Sequence, residues 1–220
     1  MTCGALAKEA FDRVVSGIAL ILLAPFMAMI AIWIKATSPG PVLYRQVRIG
    51  KDGRPFALLK FRSMVPGADR IAANITPRGD PRVTPVGRVL RRWYLDELPQ
   101  LLNVVRGDMS LVGPRPETAE FAAELLPHEC TLLTVRPGLV GASTLAFMNE
   151  ADLLAEANDP VTYYRTTLLH ERAQRDLEYL KRRSLPSDIA ILFRQLSAIF
   201  RQRPSNSKPS SSAVRPGHQA

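Results

Sequence analysis

The sequence predicts an α+β fold: a mainly helical small domain with one β-hairpin, an N-terminal re-entrant membrane helix and interfacial amphipathic helices. Three observations lead there. Residues 14–34, VVSGIALILLAPFMAMIAIWI, are an uncharged run of 21, close to the ~20 apolar residues a bilayer span needs. Residues 41–48 and 54–62 read as two strands joined across Ile49-Gly50-Lys51-Asp52-Gly53, and Asp-Gly between apolar-rich runs is a hairpin signal. The chain beyond them is dominated by segments with helical spacing.

Within the first run, Pro25 sits at the centre. An interior proline removes a hydrogen bond and clashes with the preceding turn, which predicts a kink. Val14 to Ala24 rises only about 16 Å before that point, roughly half of the ~30 Å hydrocarbon core. Lys8 and Arg13 precede the run, and Lys35, Arg45 and Arg48 follow it, so both ends carry the basic residues typical of a cytoplasmic flank. A helix that enters and leaves the same leaflet satisfies both facts; a straight transmembrane helix is the alternative. No small-residue cleavage site follows, which disfavours a signal peptide. Thr37-Ser38-Pro39-Gly40-Pro41 ends the segment.

The whole chain has 220 residues, 46% hydrophobic and 22% charged, enough for one domain with a core. Its net charge of +9 calls for an anionic partner: nucleotide phosphate, anionic lipid or nucleic acid. Two cysteines, Cys3 and Cys130, exclude a disulfide framework. The spacing of His128, His170 and His218 does not suit zinc. The segment 41–62 holds six basic residues and one acid, which suits either a solvated edge hairpin or a surface beside anionic headgroups.

Residues 65–85 read as a mobile loop with a helical turn near 68–73, more simply a surface loop than a lid. A short helix is expected over 86–93 and another over Leu101–Val105. Residues 117–133 read as a helix interrupted at Pro127, and 163–183 as an ordinary solvated helix. Over 188–200, Ile189, Leu192, Phe193, Leu196 and Phe200 share one helical face, fit for a membrane surface or for core packing. Residues 201–220, with four basic residues and no acid, are expected to be disordered. The expected organisation is thus a membrane segment over 1–40, a cytoplasmic catalytic domain over 41–200 and a basic tail over 201–220.

The chemistry concentrates in LDELPQLLNVVRGDMSLVGPRP, residues 95–116. Asp96 and Glu97 stand at or just before a helix start, where free N–H groups and the macrodipole favour negative charge. Pro114 and Pro116 stiffen the backbone around Arg115, and a fixed guanidinium suits bidentate grip on phosphate. Charge alone does not choose between the two carboxylates.

This string resembles the signature of the bacterial sugar transferases, the small monotopic phosphoglycosyl transferases. Lys60-Phe61-Arg62-Ser63-Met64 and Arg136-Pro137-Gly138 resemble two further elements of that family, and the likeness covers roughly residues 8–200. The resemblance implies a re-entrant helix on the cytoplasmic face of a bacterial inner membrane. It implies transfer of a sugar 1-phosphate from a UDP-sugar to polyprenyl (undecaprenyl) phosphate, with release of UMP, as the first step of glycoconjugate assembly. It assigns Asp96 as the nucleophile that carries the phosphosugar and as a contact for Mg²⁺, and gives Glu97 a supporting role. Lys60, Arg62, Arg91, Arg115 and Arg136 become the substrate-binding residues. Anionic membrane lipid is a further expected partner, and a homo-oligomer is left open.

Three departures from the family pattern stand out: Ala24 before Pro25 where serine is common, Tyr94 before Leu95-Asp96-Glu97 where serine is usual, and Gly141-Ala142-Ser143-Thr144 after the Arg-Pro-Gly element. Tyr94 cannot make the capping box with Glu97 that a serine would. Two other function classes remain as alternatives: a noncatalytic membrane scaffold, and a membrane-anchored basic nucleic-acid-binding module. The second lacks any helix-turn-helix, zinc-finger or base-stacking signature, so nucleic acid is not an expected partner.

Overall fold

The computed structural model describes residues 3–71 and 75–201; the tail expected to be disordered lies, beyond Arg201, outside the described residues. A single helix, α1 (Cys3–Thr37), contains the entire apolar run and continues through Pro25. Its 35 residues extend about 52 Å at 1.5 Å per residue, well beyond one hydrocarbon core. Both halves rest on the same domain. Phe11, Val15, Leu20 and Leu23 pack on a cluster that includes Leu101, Val104, Met109 and Val112. Ile30 and Ile34 are buried against Phe61, Val86 and Leu90. The other face leaves Val14, Ile18, Ile21, Leu22, Met29 and Ile32 exposed.

The predicted hairpin forms: β1 (Leu43–Ile49) and β2 (Pro55–Phe61) pair antiparallel with Leu43 opposite Phe61. The reversal places Asp52 and Gly53 at φ of 58° and 71°, the left-handed region that aspartate tolerates and glycine favours. The free edge of β2 is closed by a side chain. Asn103 Oδ1 accepts from Leu59 N–H at 3.0 Å, and Asn103 Nδ2 donates to the Ala57 carbonyl at 2.8 Å, in place of a third strand.

Helix α2 (Ala68–Ile71) precedes a stretch, described from Ile75 on, that contacts Arg82. Arg82 is buried, donates to both oxygens of Asp80 and also reaches the carbonyls of Ala68 and Ile75. These bonds tie Ile75 and Asp80 to Ala68 through one cation. Helix α3 (Pro85–Arg92) starts one residue ahead of the expected 86–93, with Thr84 Oγ1 accepting from Gly87 N–H and Pro85 in the first turn, a favourable start on both counts. Helix α4 (Gln100–Arg106) ends on Gly107 at φ 88°, as a C-cap glycine does.

A second, parallel pair was not expected: β3 (Ser110–Val112) lies beside β4 (Gly138–Val140). Its backbones approach so closely that a Cβ on Gly138 would fall 2.1 Å from Gly113 N. Residues 117–133 do not form one helix. Only α5 (Ala119–Ala122) and a 3₁₀ segment Glu129–Thr134 appear, because Pro127 divides the stretch and the Glu129 carboxylate captures Leu126 N–H. Four helices follow in order: α6 (Ala142–Ala146), α7 (Glu150–Glu156), α8 (Pro160–Tyr163), and, after a π-turn Tyr164–Leu168, α9 (Leu169–Arg182). Helix α9 is not an ordinary solvated helix: Arg172, Asp176 and Tyr179, one turn apart, are all buried.

Helix α10 (Leu185–Arg201) packs on the core through Ile191 and Leu192 and buries two polar residues. Asp188 and Gln195 are buried, while Phe193, Leu196 and Phe200 are exposed. Lys8 ties this helix to α1, with Nζ 2.8 Å from Asp12 Oδ1 and 2.7 Å from Asp188 Oδ2. Ser110 Oγ donates to Asp12, and Tyr179 Oη donates to Asp188. The fold is therefore mixed helix and strand, with small sheets and one long apolar N-terminal helix.

Candidate active site

A cavity of about 470 Å³ opens between the hairpin, the 63–82 loop, the turn around Asp96 and the start of α7. That volume falls in the range of small-molecule sites. Lys60 and Arg62 reach it from the end of β2 and just beyond, Arg91 from the last turn of α3, and Arg115 from the loop after β3.

Asp96 and Glu97 occupy a 3₁₀ turn, Leu95–Glu97, ahead of α4. Tyr94 precedes them in the left-handed region at φ 54°, a conformation that a non-glycine residue adopts at some cost. It caps nothing; its hydroxyl donates to the Met148 carbonyl at 3.4 Å, on the far wall of the cavity. The capping box foreseen as missing is indeed missing, and the turn is held by backbone bonds from Glu97 N–H to Tyr94 and from Leu98 N–H to Leu95.

The adjacent carboxylates differ. Glu97 accepts from Lys60 Nζ at 2.7 Å. Burial would raise its pKa, but Lys60 and Arg115 outweigh that and hold it below the usual glutamate value. Asp96 is 6% exposed and has no ion pair among the described residues. Burial pushes its pKa above the usual aspartate value, Glu97 adds to the rise, and Lys60 and Arg91 offset part of it. Desolvation penalises the charged form unless a cation or donor compensates.

Arg115 is the counterpart. Burial disfavours its charge, yet the fields of Glu150, Glu97 and Glu117 hold the guanidinium firmly protonated. Among the described residues none of these carboxylates closes an ion pair with it, and its hydrogen bond is made by the backbone N–H. A guanidinium that faces a cavity and closes no ion pair among the described residues is an anion-binding group. Arg91 donates through Nε to Ser63 Oγ at 2.8 Å.

Two of the sequence-predicted binding residues are committed elsewhere. Arg62 lines the cavity, but its guanidinium bonds the Pro39 carbonyl at 2.5 Å, the Ser38 carbonyl at 2.9 Å and Ser38 Oγ at 2.7 Å. It thereby clasps the turn that ends α1. Arg136 is not among the cavity residues; its Nη1 lies 2.6 Å from Glu9 Oε1 on α1. The Arg-Pro-Gly element instead forms the start of β4, where Ser110 N–H bonds Pro137 and Gly138 N–H bonds Pro114.

The structure adds residues that sequence reasoning passed over. Glu150 lines the cavity, ion-paired to the buried Arg172 of α9. Arg172 and Lys60, among others, hold its pKa below the usual glutamate value. Tyr164 donates to Glu117 Oε2 at 3.0 Å, and Asp176 sits behind Arg115. The one available signal was helical spacing of 172, 176 and 179, which reads equally as a solvated face.

Among the described residues no three His, Cys, Asp or Glu side chains are grouped to hold a metal. That donor set still fits Mg²⁺, which is held by one or two carboxylates together with substrate phosphates rather than by an all-protein cage. Asp96, a cavity carboxylate without an ion pair among the described residues, could hold it.

The model of the family described as bacterial sugar transferase matches residues 3–202. The UDP-glucose:undecaprenyl-phosphate glucose-1-phosphate transferase of Caulobacter vibrioides is 38% identical over 198 residues, 89% of this chain and 70% of that protein. The UDP-N-acetylgalactosamine-undecaprenyl-phosphate N-acetylgalactosaminephosphotransferase of Aeromonas hydrophila is 38% identical over 199 residues, 89% of this chain and 44% of that protein. The exopolysaccharide production protein ExoY of Rhizobium meliloti is 36% identical over 216 residues, 91% of this chain and 88% of that protein. The chain spans less than half the length of several relatives it matches. With the family model covering nearly all of the described residues, the chain belongs to the bacterial sugar transferase family.

Proposed function

We propose that the chain transfers a sugar 1-phosphate from a UDP-sugar to undecaprenyl phosphate at the cytoplasmic face of a bacterial inner membrane. The observation that carries this reading is the asymmetric carboxylate pair: Glu97 locked by Lys60, Asp96 without an ion pair among the described residues, beside a cavity that Arg115 and Arg91 face. In the first step an Asp96 oxygen attacks the β-phosphorus. The bond from that phosphorus to the oxygen shared with the α-phosphate breaks, and UMP leaves with the electron pair. In the second step a phosphate oxygen of the lipid attacks the same phosphorus and the Asp96 carboxylate departs, giving a lipid diphosphate sugar. Two displacements divide a hard transfer, and Arg115 compensates the charge carried by the equatorial oxygens. Mg²⁺, when bound at Asp96, supplies neutralisation of the pyrophosphate oxygens.

The membrane placement rests on α1 and α10. Both halves of α1 pack on one domain, which suits a helix that dips into a single leaflet. Exposed Phe193, Leu196 and Phe200 on α10 suit the headgroup boundary. The relatives above act on different sugars by name, so the sugar is best found directly. Purified protein with undecaprenyl phosphate and a panel including UDP-glucose and UDP-N-acetylgalactosamine should release UMP with at least one member. A folded protein inert toward every common UDP-sugar would overturn the proposal.

A further inference from the structure

We propose that Asp176 is a positioning residue that sets the phosphate-gripping Arg115 through its backbone; this rests on the reading of Arg115 given above. Arg115 lies between Pro114 and Pro116, which have no N–H, so its own N–H is the one backbone donor of that tripeptide. Asp176 Oδ2 receives it at 3.2 Å. The same oxygen accepts from Ser143 Oγ at 2.7 Å, and Oδ1 accepts from Ser143 N–H at 2.9 Å. Three donors thus converge on one carboxylate that is 3% exposed.

The loop is fixed on its other sides through its backbone. Gly113 N–H bonds Val140, Gly138 N–H bonds the Pro114 carbonyl, and Arg48 Nη1 bonds the Pro116 carbonyl at 3.1 Å. Asp176 is the pin that α9 contributes, one turn beyond Arg172, which holds Glu150 at the cavity wall. One helical face therefore sets both a wall carboxylate and the anion-binding loop. A 1 Å displacement of such a group is costly, because the binding geometry of phosphate is fixed by the donor.

An amide at this position offers one acceptor oxygen. Asp176→Asn must turn its NH₂ toward either Arg115 N–H or Ser143 N–H, and leave one of these buried donors unsatisfied. Binding of UDP and of uridine, measured by calorimetry on the full chain in detergent, separates a local from a general effect. UDP affinity is expected to fall on the order of tenfold, with uridine affinity unchanged. Arg115→Lys should also weaken UDP, and the double variant should bind no worse than Arg115→Lys alone.

Unchanged UDP affinity in folded Asp176→Asn, equal losses for uridine and UDP, or additive losses in the double variant would overturn the proposal. If Asp176→Asn does not fold, Asp176→Glu keeps two acceptors displaced by one methylene, and wild-type UDP affinity in it would be equally fatal. Normal UDP binding by Arg115→Lys would instead refute the role of Arg115 itself.

Discussion

Lys60 Nζ lies 2.7 Å from Glu97 Oε1, and this bond separates two neighbouring carboxylates that charge alone leaves equivalent. It supports Asp96 as the group that carries the phosphosugar. Asp96→Asn is expected to abolish any adduct formed with UDP-sugar in the absence of lipid, since an amide is a very poor nucleophile. Glu97→Gln should slow turnover yet still accumulate label. Peptide mass spectrometry locates the adduct, and finding it on Glu97 would reverse the assignment.

Asp96 also predicts a pH effect. Its pKa is raised in the fold by burial, so its folded-state contribution to stability is complete below the unfolded value, about 3.9, and is lost as pH rises through the folded value. At neutral pH the charge is a liability. Asp96→Asn should therefore melt at a higher temperature than wild type, a stability–activity trade-off. Adduct formation should fall on acidification at a pH above the ordinary aspartate range. A lower melting temperature in this variant would contradict the account.

The cation at Lys8 is shared by Asp12 and Asp188, whose side chains are 5% and 1% exposed. Removing one partner of a buried ionic cluster leaves uncompensated charge and costs about 3–5 kcal/mol. Lys8→Met should show a loss of that order in denaturant unfolding and loosen α10 from α1. A loss under 1 kcal/mol would mean that the cluster is wetter than its burial indicates.

Gly138 faces the backbone of Gly113 with no space for a methyl group. Gly138→Ala must part the β3–β4 pair, and a cost of about 3 kcal/mol is expected from overpacking against backbone. Thermal melting measures it, and a near-neutral result would show that the parallel pair opens freely.

Because α1 packs on one domain along both halves, its ends are expected on the same side of the membrane. Cysteines placed at Ala5 and Ser207 should both resist a membrane-impermeant reagent in intact cells. Labelling at Ala5 alone would establish a spanning helix instead.

Separately, Phe193→Ser with Phe200→Ser should weaken binding to anionic vesicles without lowering the melting temperature, since both side chains are exposed.

Local rules sufficed for the elements that local chemistry controls. The uncharged run, the Asp52-Gly53 reversal, the short helix near 86–93 and the short helix after Pro99 are each written in adjacent residues, and each appears in the structure. The 95–116 string likewise placed Asp96, Glu97 and Arg115 at one cavity. Tertiary structure decided what the charges do. Arg62 and Arg136 were assigned to substrate, yet they bind the 38–39 turn and Glu9, partners 23 and 127 positions away in sequence. Arg172, Asp176 and Tyr179 read as a solvated stripe because helical spacing does not reveal which face is buried. Glu150 and the β3–β4 pairing depend on segments brought together from afar. Sequence specifies a side chain's charge and its local backbone; the partner that neutralises that charge is set by which distant segment packs against it, and only the folded core fixes that.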